Sequence, residues 1–231
     1  MKIHGFNTLT LLDYPGLVGA TLFLGGCNFR CPFCQNGNLV LSPDTEPWIP
    51  LEEVLATLRK RRKVLDGVCI SGGEPTLYRD LPKLIRPIKE MGYQIKLDTN
   101  GTNPSMLREL CAQGLIDFVA MDIKSSPENY EKASGCTAAQ LDAVRESADF
   151  LLNGKTDYEF RTTVVKELHT EADFFSIGDW ISGCCAYYLQ AYRESEHVIS
   201  KNFSSYTYQE LTRFRDILQE KIPLVEIRGI E

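Results

Sequence analysis

The sequence predicts an α/β protein built on a mostly parallel sheet, an open (β/α)6 partial barrel. The first observation is that six short strand-like segments alternate with helical segments along the 231 residues. The second is that the strand-like segments are rich in β-branched and aromatic residues, as half-buried or buried strands are. Strands that alternate with helices form parallel sheets through right-handed crossovers. Six units are two fewer than a closed eight-stranded barrel needs, so we expect an open sheet.

The elements follow one another regularly. The predicted strands are residues 18–24, 68–71, 94–98, 118–123, 158–165 and 186–191. The predicted helices are residues 51–62, 81–91, 104–113, 138–152, 171–181 and 208–220. Pro50 and Pro104 suit the first turn of a helix, and Gly92 and Gly114 suit the position just after a helix end. No linker, repeat or low-complexity tract divides the chain, so we expect one domain over residues 1–231.

Composition and charge exclude several classes of protein. Lys and Arg number 25 against 31 Asp and Glu, so the net charge is −6, and nothing suggests a nucleic acid or an anionic membrane as partner. Eight cysteines are far below the density of a disulfide scaffold. No signal-peptide pattern opens the sequence, and the most apolar stretch, residues 17–26, is too short to span a bilayer. We therefore expect a cytoplasmic protein with reduced thiols.

Three cysteines, Cys27, Cys31 and Cys34, lie within eight residues with the spacing C-x3-C-x2-C. Thiolates at such spacing select zinc, copper(I) or an iron–sulfur cluster. Structural zinc needs four ligands, and the first histidine after the run is the distant His169. The spacing also differs from that of bacterial ferredoxins. Three thiolates would leave one iron of a cubane open to another ligand, so the run predicts a cluster that takes part in chemistry.

The remaining cysteines and the histidines fall in no ligand spacing. We expect the cysteines to pack as small apolar residues. We expect the histidines to lie at the surface. These residues are Cys69, Cys111, Cys136, Cys184 and Cys185, with His4, His169 and His197.

The cysteine run, with Phe33 before its third cysteine, resembles the cluster motif of the radical S-adenosylmethionine (SAM) superfamily. Further segments resemble that superfamily in the same order: residues 71–75 (SGGEP), 98–101 (DTNG) and 121–124 (MDIK). The last two are similar to the activating enzymes of glycyl-radical enzymes. Within that group, residues 10–16 (TLLDYPG) and 159–165 (EFRTTVV) look most like the activating proteins of anaerobic ribonucleoside-triphosphate reductase. The resemblance runs from about residue 5 to residue 193 and implies an open partial TIM barrel.

The resemblance implies a function, its cofactors and its partners. The protein would be a radical SAM oxidoreductase that cleaves SAM reductively at one [4Fe–4S] cluster, with Cys27, Cys31 and Cys34 as its ligands. Its client would be a separate glycyl-radical enzyme, preferably anaerobic ribonucleotide reductase, and its electron donor a flavodoxin or ferredoxin. Two alternatives stay open. One is a radical SAM enzyme that acts on another glycyl-radical enzyme or on a small molecule such as a deazapurine; the other is a non-catalytic, zinc-binding adaptor.

The resemblance also implies which residues contact SAM. Gly72 and Gly73 allow close backbone approach after a strand, and Glu74 accepts a hydrogen bond from the methionine ammonium. The other implied contacts are Phe33 and Asn36 beside the cluster, Lys124 and Arg161 near the cofactor carboxylate and ribose, and Arg193 near the adenosine. The chain departs from many relatives after its third cysteine, where Gln35 and Asn36 replace histidine, so the role of residue 35 is open.

A monovalent cation is a further cofactor that the resemblance implies. Its ligands would be Asp98, Thr99, the backbone at Ala120 and Asp122. The plainer alternative is that the two carboxylates cap helices or form ion pairs with Lys124 or Arg161, because a carboxylate at the end of a buried strand needs a partner. The sequence does not decide between the two.

Overall fold

The structure, a computed structural model, describes residues 1–230 and contains one eight-stranded sheet with the strand order β1 to β8. The strands are β1 (Ile3–Thr10), β2 (Gly19–Leu24), β3 (Gly67–Gly72), β4 (Gln94–Thr99), β5 (Phe118–Asp122), β6 (Asp157–Val164), β7 (Tyr187–Ala191) and β8 (Val225–Arg228). β1 pairs antiparallel with β2. The β2–β3, β3–β4, β6–β7 and β7–β8 pairs are parallel. In the part of the chain that the structure describes, the sheet is mostly parallel and is not closed, which confirms the predicted fold class.

Eight helices accompany the strands in residues 1–230. They are α1 (Gly37–Leu41), α2 (Leu51–Arg61), α3 (Leu81–Glu90), α4 (Pro104–Ala112), α5 (Tyr130–Ser134), α6 (Ala138–Leu152), α7 (Glu171–Trp180) and α8 (Tyr208–Gln219), with short 3₁₀ turns at Pro43–Thr45 and Pro75–Leu77. Helices α6 and α8 begin with capping boxes, in which a threonine and the residue three positions later satisfy each other's backbone amides. Within the described residues, no helix combines the length and apolar character needed to cross a membrane.

All six predicted strands and all six predicted helices are present, but the predicted strand count is two short. The missing strands are β1 and β8, at the two edges of the sheet. β1 contains glycine and asparagine, which are poor strand formers, and β8 has only four residues. Two short helices, α1 and α5, were also not predicted, because five residues show no helical periodicity.

The chain divides into two compact units. Unit 1 comprises Met1–Asn28, Asn38–Thr99 and Asn103–Val119, and therefore holds β1 to β4 and α2 to α4. Unit 2 comprises Phe29–Gly37, Asn100–Thr102 and the chain from Ala120 onward, with β6 to β8 and α5 to α8. Strand β5 contributes residues to both. The single-domain organisation stays a prediction.

The core of unit 1 consists of apolar strand residues covered by helices. The central strands β2, β3 and β4 are buried along most of their length, as strands of a parallel sheet with helices against its faces are. Leu58 of α2 and Ile85 of α3 are fully buried. Burying side chains of this size stabilises the fold by about 1.5–3 kcal/mol each.

The core of unit 2 is more aromatic and includes a buried carboxylate that is paired with an arginine. Phe174 of α7 and Phe214 of α8 stack with ring centroids 4.4 Å apart. Glu159 of β6 is buried and accepts two hydrogen bonds from the Arg228 guanidinium of β8, both of 3.0 Å. The same guanidinium lies 3.2 Å from the ring centroid of Tyr188. These contacts tie the last strand to the sheet.

Candidate functional site

In unit 1, the two glycines of the SGGEP segment lie against the end of β2. Gly72 has a φ of +116°, and a Cβ there would lie 2.3 Å from the carbonyl oxygen of Leu24. A Cβ at Gly73 would lie 1.9 Å from the carbonyl oxygen of Gly26. The amides of Gly73 and Glu74 donate to these same two carbonyls, each at 2.8 Å. The protein's own backbone therefore requires glycine at both positions.

Glu74 follows these glycines and is fully buried, with 0% of its surface exposed. Its Oε1 accepts hydrogen bonds from the amide and hydroxyl of Thr76 and, at 2.8 Å, from the hydroxyl of Thr99 on β4. Asn103 in turn donates to the carbonyl of Thr76 at 2.7 Å. Several donors on one oxygen suit an ionised carboxylate held in one orientation. The arrangement suits binding of a cationic group, and the predicted contact with the SAM ammonium stays a prediction.

Asp98, near the end of β4, pairs with a cation that the sequence analysis overlooked. The ammonium of Lys96 contacts Asp98 Oδ1 and lies 3.8 Å from Cys69 Sγ. Lys96 and Asp98 are two residues apart in a strand, so their side chains share a face. Cys69 is the residue beside Lys96 in the parallel β3–β4 register. The ion-pair alternative is thus present for Asp98, with Lys96 as a partner that the sequence analysis did not name.

In unit 2, Asp122 forms both of the ion pairs that the plainer alternative expects. Its carboxylate lies 2.8 Å from the Lys124 ammonium and 2.8 Å from Nε of Arg161. Burial opposes ionisation of Asp122, but the charges of Arg161 and Lys124 outweigh it and hold the pKa of this carboxyl below its ordinary value. Burial would lower the pKa of Lys124, yet the neighbouring Asp122 and the Cys31 thiol raise it. This ammonium is therefore charged and lies near one of the predicted cluster ligands.

The cysteine run is divided between the units. Cys27 follows β2 in unit 1, whereas Cys31 and Cys34 belong to unit 2. The amide of Cys34 donates to the carbonyl of Cys31 at 3.0 Å, which closes a tight turn between these two cysteines. Cys31 is buried and Cys34 is partly buried. The amide of Arg30 donates to the carbonyl of Ser134 at 2.8 Å, so α5 supports the start of this loop.

A segment late in the chain, residues 193–200, holds the same loop from within unit 2, and we call it the strap. The amide of Gly37 donates to the carbonyl of His197 at 3.0 Å. The strap amides of Ile199 and Ser200 donate to the carbonyls of Cys34 and Pro32, at 3.2 and 2.8 Å. These bonds use backbone groups alone. The loop that carries two predicted ligands is therefore fixed by three main-chain bonds.

Gln35 adds a side-chain bond to the strap. Its amide nitrogen donates to the carbonyl of Arg193 at 2.7 Å. Arg193 is exposed, and its Nε donates to the carbonyl of Gly229 at 3.0 Å. Both residues line a polar cavity with Thr163, Gln190, Ala191, Arg228 and Gly229, at the carboxyl ends of β6, β7 and β8. Ligands of parallel α/β sheets bind at such ends, so the adenosine contact of Arg193 is retained as a prediction.

Phe33 and Asn36 are the remaining residues that we predicted to contact the cofactor. Phe33 is buried and meets the ring of His169 edge-on, with centroids 6.4 Å apart. Asn36 is partly buried beside it in the same loop. Phe33 therefore packs in the core of unit 2, and the contacts of both residues with the cofactor stay predictions.

His169 does not lie at the surface, so this part of the prediction is wrong. It is fully buried, its Nε2 lies 2.8 Å from the carbonyl of Lys124, and its Nδ1 accepts from the amide of Val165 at 3.0 Å. Burial lowers the pKa of His169, although these backbone contacts oppose the shift. Its partner at Lys124 is 45 residues away and left no local pattern in the sequence. Among the five remaining cysteines, Cys185 is exposed, which also differs from the expectation.

Among residues 1–230, no group of three or more His, Cys, Asp or Glu side chains is gathered so that it could hold a single metal ion. A cubane takes one thiolate on each of several irons, so its ligands need not surround one point. The ligand role of Cys27, Cys31 and Cys34 stays a prediction based on their spacing and chemistry.

Comparison with known protein families decides the class of this chain. Residues 21–170 match the Radical SAM superfamily. The chain belongs to this superfamily. It is therefore a radical SAM enzyme, and its family implies SAM and a [4Fe–4S] cluster as cofactors. The structure offers donors that fit these groups: an all-thiol run for the cluster, a Lys124 ammonium near the Cys31 thiol, and a buried, oriented Glu74 carboxylate.

Two relatives by sequence differ in what their names describe. A protein of Methanocaldococcus jannaschii, which carries the provisional name glycyl-radical enzyme activating enzyme, is 31% identical over 99% of this chain and 96% of its own length. A protein of Thermoplasma acidophilum named 7-carboxy-7-deazaguanine synthase is 28% identical over 64% of this chain and 66% of its own.

Solved structures share the fold. Streptococcus suis SuiB bound to S-adenosylmethionine aligns with 91% of this chain at a TM-score of 0.71 and 17% identity. SuiB bound to its precursor peptide SuiA aligns over the same share at a TM-score of 0.73 and 16% identity. This chain spans about half the length of SuiB, 52% and 48% in the two structures.

Glu74→Gln is expected to keep the fold and the cluster but to weaken SAM binding. The variant retains an oxygen that can accept from Thr76 and Thr99, whereas it loses the negative charge that we predict binds the SAM ammonium. A charge-assisted hydrogen bond is worth about 1.5–3 kcal/mol, which is about ten- to a hundredfold in affinity. Calorimetric titration of the anaerobically reconstituted protein with SAM measures this, with the exposed Glu90→Gln as control. Unchanged affinity in Glu74→Gln would remove the assigned role.

Gly37→Ala is expected to loosen the strap from the cysteine loop. The added Cβ would lie 2.3 Å from the carbonyl oxygen of His197, so the bond between Gly37 and the strap cannot survive unchanged. We expect a lower thermal midpoint and faster loss of iron to a chelator after reconstitution. Gly178→Ala is the matched control, because the nearest atom to its new Cβ is 3.6 Å away. Iron retention equal to that of the control would contradict a holding role for the strap.

Proposed function

We propose that this chain is an activating enzyme that installs a glycyl radical on a separate protein. The observation that carries the proposal is the match to the M. jannaschii activating enzyme, which extends over 99% of this chain and 96% of that protein. Because the match covers nearly the whole relative, the relative has no large substrate domain outside the matched region. The client that we propose is anaerobic ribonucleoside-triphosphate reductase, and its support is the resemblance of residues 10–16 and 159–165 to activating proteins of that enzyme.

In this proposal the residues keep the roles that the resemblance implies for them. Glu74 accepts the SAM ammonium, while Lys124 and Arg161 provide positive charge for the cofactor carboxylate and the ribose region. Cys27, Cys31 and Cys34 bind the cluster. When bound, the cluster and SAM supply the one-electron chemistry that removes a hydrogen atom from the client glycine. The protein positions these groups and excludes water.

A protein client is supported by the loop after β1 in unit 1. The hydroxyl of Thr10 accepts from the amides of Leu12 and Asp13, at 3.2 and 3.3 Å, and Tyr14 is buried with 4% exposure. The loop is therefore held in place by its polar and aromatic residues. Leu11 and Leu12 nevertheless project to solvent, with exposures of 70% and 90%. In this proposal these two adjacent apolar side chains, on a loop that is held in place, form the surface that docks the client.

A small-molecule reaction is the second candidate, and the match to the deazaguanine synthase favours it. That match covers 64% of this chain, which is less than the activating enzyme covers. A zinc-binding adaptor is not retained, because the chain is a radical SAM enzyme.

The first test is whether the protein activates its client. We expect the reduced, reconstituted protein with SAM to produce a glycyl-radical doublet in the electron paramagnetic resonance spectrum of anaerobic ribonucleotide reductase from the same source. Methionine and 5′-deoxyadenosine should form in step with the radical. A glycine-to-alanine change at the radical site of the reductase is the control and should abolish the doublet. SAM cleavage without a radical on this reductase, but with one on another glycyl-radical enzyme, would replace the client and keep the activating role. Cleavage only with a purine-like small molecule would overturn the proposal.

The second test concerns the exposed leucines. Leu11→Ser combined with Leu12→Ser is expected to leave SAM binding unchanged, because both side chains point away from the fold, and to slow radical formation on the client by about tenfold or more, as loss of a central apolar contact does. Val64→Ser, at an exposed apolar position of the same unit, is the matched control. If the double variant activates the client at the control rate, the loop does not dock it.

A further inference from the structure

The side chains that the resemblance implies as cation ligands are already engaged. Asp98 contacts the Lys96 ammonium, and the hydroxyl of Thr99 donates to Glu74. Asp122 is held by two cationic side chains of unit 2. A hard monovalent cation needs several oxygen ligands. The residues present therefore do not fit a bound metal cation, and this disagreement points to another source of positive charge at Asp98.

Lys96 is unusual because it is a lysine that is buried within a parallel strand. It lies in the middle of β4, has 1% of its surface exposed, and is among the largest fully buried side chains of the described residues. Burying a charge is unfavourable unless it is paired, and an apolar residue of similar volume is often neutral or better for stability. A fully buried lysine in a parallel strand is thus poorly explained by packing. Its partner Asp98 lies nearer the carboxyl end of the strand, where ligands bind.

We infer that the Lys96 ammonium is the cation that this chain uses at Asp98, and that SAM binding therefore needs no sodium or potassium ion. An ammonium carries the same charge as a monovalent metal ion and has three hydrogen-bond donors. Because it is covalently attached, it cannot be lost to dilution or exchanged for another ion. The inference depends on SAM binding, which the family implies, and does not depend on the client.

The structure shows how this charge affects the cofactor site. Lys96 neutralises Asp98, and the next residue, Thr99, donates its hydroxyl to Glu74 at 2.8 Å. Loss of the ammonium would remove a positive charge from beside the largely buried carboxylate of Asp98. Without a small cation the end of β4 would then shift and Thr99 would hold Glu74 differently, whereas a sodium or potassium ion from solution could take the place of the ammonium. Lys96 is a positioning residue in this scheme.

The experiment compares SAM binding in potassium, sodium and choline chloride at one ionic strength. The reconstituted wild-type protein is titrated with SAM by calorimetry, and its thermal midpoint is recorded in each salt. We expect equal affinities in all three salts. Lys96→Met should bind SAM about tenfold or more weakly in choline and recover in potassium or sodium, because a small ion can then neutralise Asp98 and choline is too large to do so. Its thermal midpoint should rise with the same two ions.

Two further variants separate this role from a general effect on folding. Lys89→Met removes a less buried lysine that pairs with Asp117 in the same unit, and it should show no dependence on the salt. Lys96→Met with Asp98→Asn removes both charges, and its residual affinity should be the same in all three salts. Wild-type affinity that increases with potassium or sodium would overturn the inference. So would a Lys96→Met variant that binds SAM equally in all salts. If that variant does not fold, the wild-type comparison and the double variant still decide, since a salt response in either contradicts a built-in cation.

Discussion

Close packing of backbone on backbone between β2 and β3 is the constraint on which the cofactor side of unit 1 depends. The glycines at 72 and 73 lie so near the carbonyls of Leu24 and Gly26 that no side chain fits. This contact directs the chain into the 3₁₀ turn, where Glu74 meets donors from its own turn and from Thr99. The contact with β2 thus fixes where the 3₁₀ turn begins, and the turn fixes the orientation of the Glu74 carboxylate.

The ends of β4 and β5 each carry an aspartate whose charge is compensated by neighbouring cationic side chains. Each strand carries an aspartate at or near its end, and each aspartate has internal cations beside it. The partners differ: a buried lysine of the same strand serves Asp98, whereas Asp122 has a lysine two residues later and an arginine from β6. An anionic group buried in this way is stable only with such compensation. These ion pairs therefore determine how much net charge the ends of β4 and β5 can present to a cofactor.

The sequence predicted the alternating strands and helices and the cysteine run. It did not predict features, such as β8 and the burial of His169, whose positions depend on residues far away in the chain. Segments such as Val68–Ser71 were recognisable because a strand next to glycine and proline has a local pattern, and the cysteine run was recognisable because ligand spacing is local. The edge strand β8 was not, since four residues show no alternation and its position depends on the Glu159–Arg228 pair across the sheet. His169 was misplaced for the same reason. Its partners are the carbonyl of Lys124, 45 residues away, and a backbone amide, and neither leaves a trace in spacing. The pairing of Asp98 with Lys96 is a local contact between two residues on one strand face, and the sequence analysis did not consider Lys96 as a partner.

The strap has a consequence for how the protein matures. Gln35 and the carbonyl it binds at Arg193 are 158 residues apart in the chain. During synthesis, which proceeds at about 5–20 residues per second, the cysteine loop leaves the ribosome many seconds before the strap exists. The carbonyls of Pro32 and Cys34 therefore lack their strap partners throughout that interval and gain them only after residues 193–200 have been made. The loop that carries two predicted ligands thus completes its hydrogen bonding late in synthesis.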